Sequence, residues 1–287
     1  MARRSRQHHY VPRALQRWFC FRPNNIWYSK KSKDGLFGDP ELRNIDSTFR
    51  ERDYYTVLQD GEPSDDVEKR FYGAVDDYLG ALLKQVHSIF DSGRTPIFEG
   101  RALSDFRQMA YLLLKRTPDF LGEHDDEALG RDLTEATIES IRQSGQLVED
   151  EEVLFEDLSQ PTRLRQLGRD IRVRAQIAHS SKVVEAMADF DVRWAICERG
   201  ALILTSGMMY RIGNGGVNGL VNPKMEIWFP IGPTRCLVMV RDPDKRIPIA
   251  SLISQSKVRE INEYGVRRYS QIASHSEALI KSLLRNR

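Results

Sequence analysis

The sequence predicts an α+β protein that folds as a single compact domain over residues 1–287. Three observations predict this class. Apolar residues recur at helical spacing through residues 61–190, and short runs of strand formers, separated by Gly, Pro and Asn, fill residues 191–255. No linker composition, internal repeat or low-complexity tract interrupts the sequence, which favours one packed unit over separate domains.

Residues 1–60 are predicted to form a basic arm, a short helix and a small hairpin. Pro12 suits the first turn of the helix, because its fixed φ is already helical and its missing N–H is not needed there. Strand formers over residues 25–30, followed by the turn signal Asp34-Gly35, predict the hairpin.

The helical middle of the chain is predicted to contain four helices. Ser64 has the side chain to cap the first, and the apolar spacing predicts the next two over residues 102–116 and 126–143. Pro161 suits the start of the fourth, which we expect to run without a break to Phe190.

The last third is predicted as a mostly antiparallel sheet followed by a C-terminal helix over residues 256–287. Ser274 and Glu277 offer a capping box at which this helix restarts. The expected strands are residues 192–197, 201–205, 208–212, 226–229 and 236–240.

The sequence argues against several classes of protein. Its three cysteines form no CxxC pair, which indicates reduced thiols. No stretch reaches the roughly 18 apolar residues of a membrane span, so we expect a cytoplasmic protein without a membrane partner. HExxH, GxSxG and Walker motifs are absent from the sequence, which disfavours zinc hydrolases, α/β-hydrolases and P-loop enzymes.

The formal net charge of +2 conceals blocks of opposite sign. Residues 1–33 hold nine basic side chains and no carboxylate, whereas residues 119–160 hold fourteen acidic side chains and two arginines. A basic stripe of five arginines follows between Arg163 and Arg174.

The basic start, which is the segment of residues 1–33, has two interpretations. Cations interleaved with aromatic rings are typical of surfaces that bind phosphates and stack bases, which would make nucleic acid or another polyanion the partner. Alternatively, the basic start docks on the acidic block of the same chain, and its aromatic rings fill the core. The candidate binding residues of the first interpretation are Arg3, Arg4, Arg6, His8, Tyr10 and Arg13.

His8 and His9 are the least generic residues of this segment. Neighbouring side chains point in different directions on any regular element, so the pair is not expected to hold one ion together. Nearby arginines disfavour a charged imidazole and leave it neutral, as a general base or a metal ligand requires. We take His9 as the only candidate ligand for a divalent metal such as Mg²⁺ or Mn²⁺, while both histidines also fit a structural role as surface or capping residues.

Arg116 closes a predicted helix and has two possible roles. An arginine in a last turn caps the final carbonyl groups and complements the helix dipole. Its planar fork equally suits a phosphate or carboxylate brought beside His9.

Several segments of the chain resemble one protein family. His8-His9-Tyr10-Val11-Pro12-Arg13, followed by Trp18-Phe19, resembles the opening signature of the bacterial proteins grouped as domain of unknown function 4238. Shorter matches follow in order at residues 53–56, 116–118, 204–206, 229–233 and 261–262.

The resemblance implies a shared set of site residues. His9, Arg116 and Ser206 are its candidate catalytic residues, and Arg13, Thr205 and Asn262 are candidate binding residues. The chain departs from the pattern after Ser206, where the resemblance implies an Asp and this sequence has Gly207. If that Asp holds a metal or acts as a base, this chain has lost the activity or replaced the residue.

These observations favour an enzyme that acts on a phosphate-containing substrate, namely a nuclease-like phosphodiester hydrolase. In it, His9 would be the base or metal ligand, and Arg13 and Arg116 would stabilise charge on the phosphate. One alternative is a non-catalytic module that binds nucleic acid or a partner protein, which Gly207 favours. Another is an interaction protein whose charge blocks pair with each other or across an oligomer.

Overall fold

A computed structural model of the chain describes residues 6–59, 62–118, 125–144, 156–214 and 219–285. These residues form helices and several antiparallel sheets, which confirms the predicted α+β class. They belong to two compact units. The first unit draws on residues 1–8, 51–74 and 121–179, and the second on residues 9–50, 75–120 and 180–287. Within the described ranges, no helix is long and apolar enough to cross a membrane.

The secondary structure alternates between short strands and longer helices. The helices are α1 Arg13–Gln16, α2 Gly73–Asp91, α3 Gly100–Arg116, α4 Asp126–Ser144, α5 Pro161–Ile177, α6 Ser181–Ala188, α7 Gln255–Arg268 and α8 Glu277–Leu284. The strands are β1 Gln7–His9, β2 Asn25–Lys30, β3 Glu41–Asn44, β4 Arg50–Arg52, β5 Val57–Gln59, β6 Glu62–Ser64, β7 Asp191–Cys197, β8 Leu204–Thr205, β9 Tyr210–Ile212, β10 Glu226–Gly232, β11 Arg235–Val240, β12 Ala250–Ile253 and β13 Gln271–Ser274. Single turns of 3-10 helix cover Arg17–Phe19 and Ile45–Ser47, and a π-helix covers Val67–Tyr72.

In the first unit, helices α4 and α5 pack with their backbones in close approach. A Cβ atom added at Gly130 would lie 2.0 Å from the carbonyl oxygen of Leu164, and one added at Gly168 would lie 1.7 Å from the carbonyl oxygen of Asp126. Both distances are far below van der Waals contact. Glycine is therefore required at both positions for the helices to come this close.

Opposite charges also join this helix pair. Asp126, at the start of α4, pairs with Arg172 at 2.8 Å and with Arg169 at 3.8 Å. Glu127 pairs with Arg165 at 2.9 Å. The basic stripe found in the sequence thus provides partners for the described start of the acidic block.

In the second unit, the larger sheet has the strand order β12-β7-β11-β10-β9. Its neighbours run antiparallel, except that β12 runs parallel to β7. Helix α7 contributes Val258 and Ile261 to an apolar cluster that includes Tyr210 and Val238 of the sheet. Burial of these side chains fixes α7 against the sheet.

The smaller sheet of the second unit has the strand order β3-β2-β13-β8. Its strand β13 lies within the segment for which a C-terminal helix was predicted, so that part of the prediction is wrong. A run of four residues has no decisive period of its own, and here pairing with β2 and β8 on either side makes it a strand.

The predicted fourth helix is also wrong in its length, because it is interrupted. Helix α5 ends at Ile177 and α6 begins at Ser181, with extended backbone at Ala178 and Ser180. The break coincides with the point where the chain passes from the first unit to the second. The apolar period continues across it, so the period alone did not reveal the break.

The structure contradicts two of the predicted helix caps. Ser64 lies in β6, and its hydroxyl accepts from the Asp66 amide at 3.2 Å without being the N-cap of a helix. Helix α8 is capped by Ser276, whose hydroxyl accepts from the Leu279 amide at 3.2 Å. Ser274 instead accepts from the Ser276 amide at 3.1 Å.

The glycine contacts of α4 and α5 lead to a stability prediction. Gly130→Ala and Gly168→Ala should each lower the free energy of unfolding by about 2–3 kcal/mol, since the added methyl group overlaps backbone that cannot move aside. Urea denaturation measures the change. Gly80→Ala is the matched control in α2, because its Cβ would meet only the Ala14 methyl group at 3.4 Å. Equal effects of all three substitutions would contradict the required close approach.

Candidate functional site

Local hydrogen bonds hold the His8 to Arg13 segment in one conformation. Strand β1 ends at His9, and Pro12 has an extended ψ of 133° before α1 begins. The Gln16 side chain donates to the Val11 carbonyl at 2.9 Å. The turn into α1 is therefore braced by a buried amide from the helix itself.

His8 is a buried residue of the first unit. Its side chain has no solvent exposure, and its Nδ1 accepts a hydrogen bond from the Tyr55 amide at 2.9 Å. The imidazole also stacks on the Tyr55 ring, with centroids 5.8 Å apart and planes 7° apart. Since Nδ1 accepts, the proton lies on Nε2 and the ring is neutral. His8 thus holds the segment that follows β4.

His9 belongs to the second unit and is half-buried. Its Nε2 lies 3.2 Å from the Ile45 carbonyl, and because a carbonyl only accepts, Nε2 carries the proton. Nδ1 then holds a lone pair, and it makes no hydrogen bond with any residue that the structure describes.

The electrostatics of His9 keep it neutral. The pKa of His9 is lowered to about 4, mainly by burial and in smaller part by the charges of Arg13 and Arg50, against opposing effects from the Ile45 hydrogen bond and Asp46. Neutrality agrees with the expectation from the sequence, but the larger cause is burial and not the arginines.

Two arginines, Arg13 and Arg50, act electrostatically on His9, and we refer to His9, Arg13, Arg17, Asp46 and Arg50 as the His9 patch. Arg13 pairs with Asp46 at 2.7 Å, and both side chains are more than half exposed. Arg17 interacts electrostatically with Asp46, and Arg50 with His9. Arg17 and Arg50 are exposed and make no ion pair within the described residues. Three guanidinium groups against one carboxylate give the patch a positive charge.

Arg116 meets His9 through the backbone. The guanidinium is fully buried and forms a two-point ion pair with Asp76 of α2. Its Nη2 also donates to the His9 carbonyl at 2.6 Å. The planar fork binds a carboxylate of the protein, and not a phosphate or carboxylate of a ligand brought beside His9.

Asp76 was not predicted from the sequence. A signal was present, since Asp76 precedes the buried residues Leu79 and Leu83 by three and seven positions and so shares their face of α2. A carboxylate on a buried face requires a cation, and Arg116 of α3 supplies it.

Thr205, Ser206 and Asn262 lie together in another part of the second unit. Each is at most 1% exposed. Asn262 of α7 accepts from the Ile203 amide at 3.0 Å and donates to the Ala201 carbonyl at 2.8 Å. The Ser206 amide donates to the Gln271 carbonyl at 2.9 Å, which extends the pairing of β8 with β13. These residues join α7 and β13 to the chain around β8.

Packing against Tyr269 explains why position 207 is a glycine. A Cβ atom added there would lie 2.1 Å from Cε1 of Tyr269. The Tyr269 hydroxyl donates to the Met209 carbonyl at 2.6 Å, which fixes the ring in that place. The tyrosine therefore fills the space that a side chain at position 207 would need.

The remaining predicted binding residues differ in accessibility. Tyr10 is 1% exposed and packs edge-on against Phe49, with ring centroids 6.4 Å apart, so its ring lies in the core. Arg6 is exposed, while Arg3 and Arg4 lie outside the described residues. Within the described ranges, no group of three or more His, Cys, Asp or Glu side chains is arranged to hold a metal ion.

The comparisons with known proteins give a family but no activity. The sequence pattern of the family described as protein of unknown function (DUF4238) matches residues 7–280, so the chain belongs to that family. No curated protein and no solved structure is significantly similar to the chain.

The buried ion pair leads to a stability prediction. Arg116→Met should lower the free energy of unfolding by about 3 kcal/mol, because it leaves Asp76 and the His9 carbonyl without their donor. Asp76→Asn should also be destabilising, because it leaves the fully buried Arg116 without a counter-ion and with only one amide oxygen as acceptor. Thermal and urea unfolding of the two variants measure both losses. A loss below about 1 kcal/mol for Arg116→Met would contradict a central role of this pair.

The pKa of His9 leads to a pH prediction. Its folded-state pKa of about 4 lies below its ordinary value of 6.5, so the unfolded chain binds the proton more readily. The stabilising contribution is complete above about pH 6.5 and is lost as the pH falls towards 4. Urea denaturation at several pH values in this range should show that the free energy of unfolding changes less steeply with pH in His9→Gln than in the wild type. The exposed His179→Gln variant is the control, and an unchanged slope in His9→Gln would refute the prediction.

Proposed function

We propose that this member of the DUF4238 family is a non-catalytic module that binds a polyanion, nucleic acid being the class that fits, through the His9 patch. The observation that carries the proposal is the group of exposed arginines around a half-buried neutral imidazole. Arg17 and Arg50 have no ion pair within the described ranges. Their guanidinium donors are therefore available to phosphate oxygens.

The neutral imidazole of His9 would accept a hydrogen bond from the ligand and adds no positive charge to the patch. With Nε2 donating to the Ile45 carbonyl, Nδ1 is an acceptor for a hydroxyl or N–H group of the ligand. Phosphate contacts by Arg13, Arg17 and Arg50 would set the position of the ligand, and an acceptor beside them would read a donor group next to the phosphate.

Three features support binding over hydrolysis. A pKa of about 4 makes His9 a weak general base at neutral pH. The guanidinium of Arg116 is occupied by Asp76 and the His9 carbonyl. Ser206 is fully buried.

A test of this proposal compares two pairs of arginines by fluorescence anisotropy with a labelled single-stranded oligonucleotide. Three phosphate contacts predict about a 20-fold loss of affinity between 50 and 200 mM salt, and Arg17→Gln/Arg50→Gln should reduce the slope of log affinity against log salt by about 1.4. Arg267→Gln/Arg268→Gln removes the same charge from exposed positions of α7. Equal losses in the two double variants would show that net charge, and not the patch, binds the ligand.

The phosphodiester hydrolase is the second candidate, favoured by the lone pair of His9 Nδ1 within reach of the charges of Arg13 and Arg50. Incubation of an oligonucleotide with Mg²⁺ or Mn²⁺ separates the candidates, with His9→Ala as the matched variant. We expect the oligonucleotide to remain intact with both proteins. Cleavage by the wild type that disappears in His9→Ala would establish the hydrolase in place of the module.

A further inference from the structure

We infer that the ligand of the His9 patch is a single-stranded nucleic acid, one base of which stacks on the exposed ring of Phe21. The inference rests on the proposed polyanion binding and adds the chemical class of the ligand. It depends on which aromatic rings near the patch are open to solvent.

Most aromatic rings of the basic start are occupied by the protein itself. Tyr10, Phe19 and Tyr28 are buried, with exposures of 1%, 0% and 6%. Trp18 stacks on His87 with ring centroids 3.6 Å apart. Tyr10, Phe19 and Tyr28 thus lie in the core, as the structural interpretation of the sequence expected, and Trp18 is covered on one face by His87.

Phe21 is different, because 59% of it is exposed. Its ring has Trp27 as a neighbour, with the ring centroids 6.4 Å apart and the ring planes at 54°. Single exposed apolar residues are common on protein surfaces, so exposure alone does not identify a site. Its neighbours and its backbone make the stronger case.

The backbone of Phe21 is held by a tight turn. Its amide donates to the Asn25 carbonyl at 2.8 Å, and the Asn25 amide donates to the Arg22 carbonyl at 2.8 Å. Asn24 occupies the left-handed region with a φ of 58°, which asparagine tolerates better than most residues. A ring on a fixed backbone loses little conformational freedom when a base stacks on it.

Cations stand on both sides of Phe21 along the chain. Arg13 and Arg17 are four residues apart in successive helical turns, and Phe21 follows Arg17 by four residues. Four residues span at most about 14 Å. Arg22 is exposed, and within the described residues it makes no ion pair. The exposed Arg17 of the His9 patch is therefore within about 14 Å of Phe21 along the backbone, and exposed Arg22 adjoins Phe21 in sequence.

This combination matches the chemistry of single-stranded recognition. Proteins that bind single strands pair a basic surface along the backbone with aromatic rings on which bases stack. A duplex keeps its bases paired and stacked within the helix, so it offers Phe21 no free base face. A polyanion without bases would use the arginines alone.

The experiment uses the full chain and three probes in anisotropy or competition assays: a single-stranded oligonucleotide, a duplex of the same sequence, and inorganic polyphosphate. Phe21→Ala should weaken single-strand binding about 5- to 150-fold, the effect of losing one stacked base, and leave polyphosphate binding unchanged. Leu36→Ala is the matched control, since Leu36 is an apolar residue of the same unit with 67% exposure. It should leave all three affinities unchanged, and Phe21→Trp should retain single-strand binding.

The possible results separate the stacking of a base on Phe21 from the proposed binding of a polyanion, on which the stacking inference rests. Polyphosphate binding that depends on the arginines, together with no effect of Phe21→Ala on the single strand, overturns the stacking inference and leaves polyanion binding intact. Wild-type binding of the duplex as tightly as the single strand overturns it in the same way. Absence of binding to all three probes overturns the proposed function and the inference with it. Circular dichroism of Phe21→Ala confirms that a loss of affinity does not come from unfolding.

Discussion

The buried guanidinium of Arg116 is the interaction on which the arrangement of the candidate site depends. An arginine side chain keeps its charge at any accessible pH, and with no exposure to water its donors require acceptors from the protein. Asp76 of α2 and the carbonyl of His9 in β1 meet that requirement. Three segments distant in sequence are thereby held at one point, and the backbone of His9 is fixed.

The two adjacent histidines have different environments. Successive side chains of a strand point to opposite faces, and within its own unit His8 is a buried acceptor for the Tyr55 amide. Nδ1 of His9 makes no hydrogen bond within the described residues, and Arg13 and Arg50 act on the His9 ring electrostatically. The family signature therefore describes mainly a framework of hydrogen bonds, whereas ligand binding would depend on exposed residues such as Arg17 and Arg50, which are outside the signature.

The charged residues likewise divide into those that pair within the protein and those that are open to a ligand. Asp126 and Glu127 find arginines in α5 of their own unit, and the close approach of α4 and α5 through Gly130 and Gly168 brings these charges into contact. In the His9 patch of the second unit, by contrast, Asp46 is one carboxylate against three arginines. A net charge of +2 therefore conceals a basic surface that is available to an anion.

The sequence by itself determined the α+β class and the positions of α3 and α4. These properties follow from local periodicity, which the linear order contains, whereas the neutrality of His9 comes mainly from its burial in the folded protein. Only the tertiary structure decided that β13 is a strand, that Asp76 is the partner of Arg116, and that Tyr269 takes the space beside Gly207. The same is true of Phe21, which sequence composition could not separate from the buried Tyr10 and Phe19. Burial and partner choice depend on which segments meet in space, and contacts between residues far apart in the chain leave no local period that a sequence pattern could reveal.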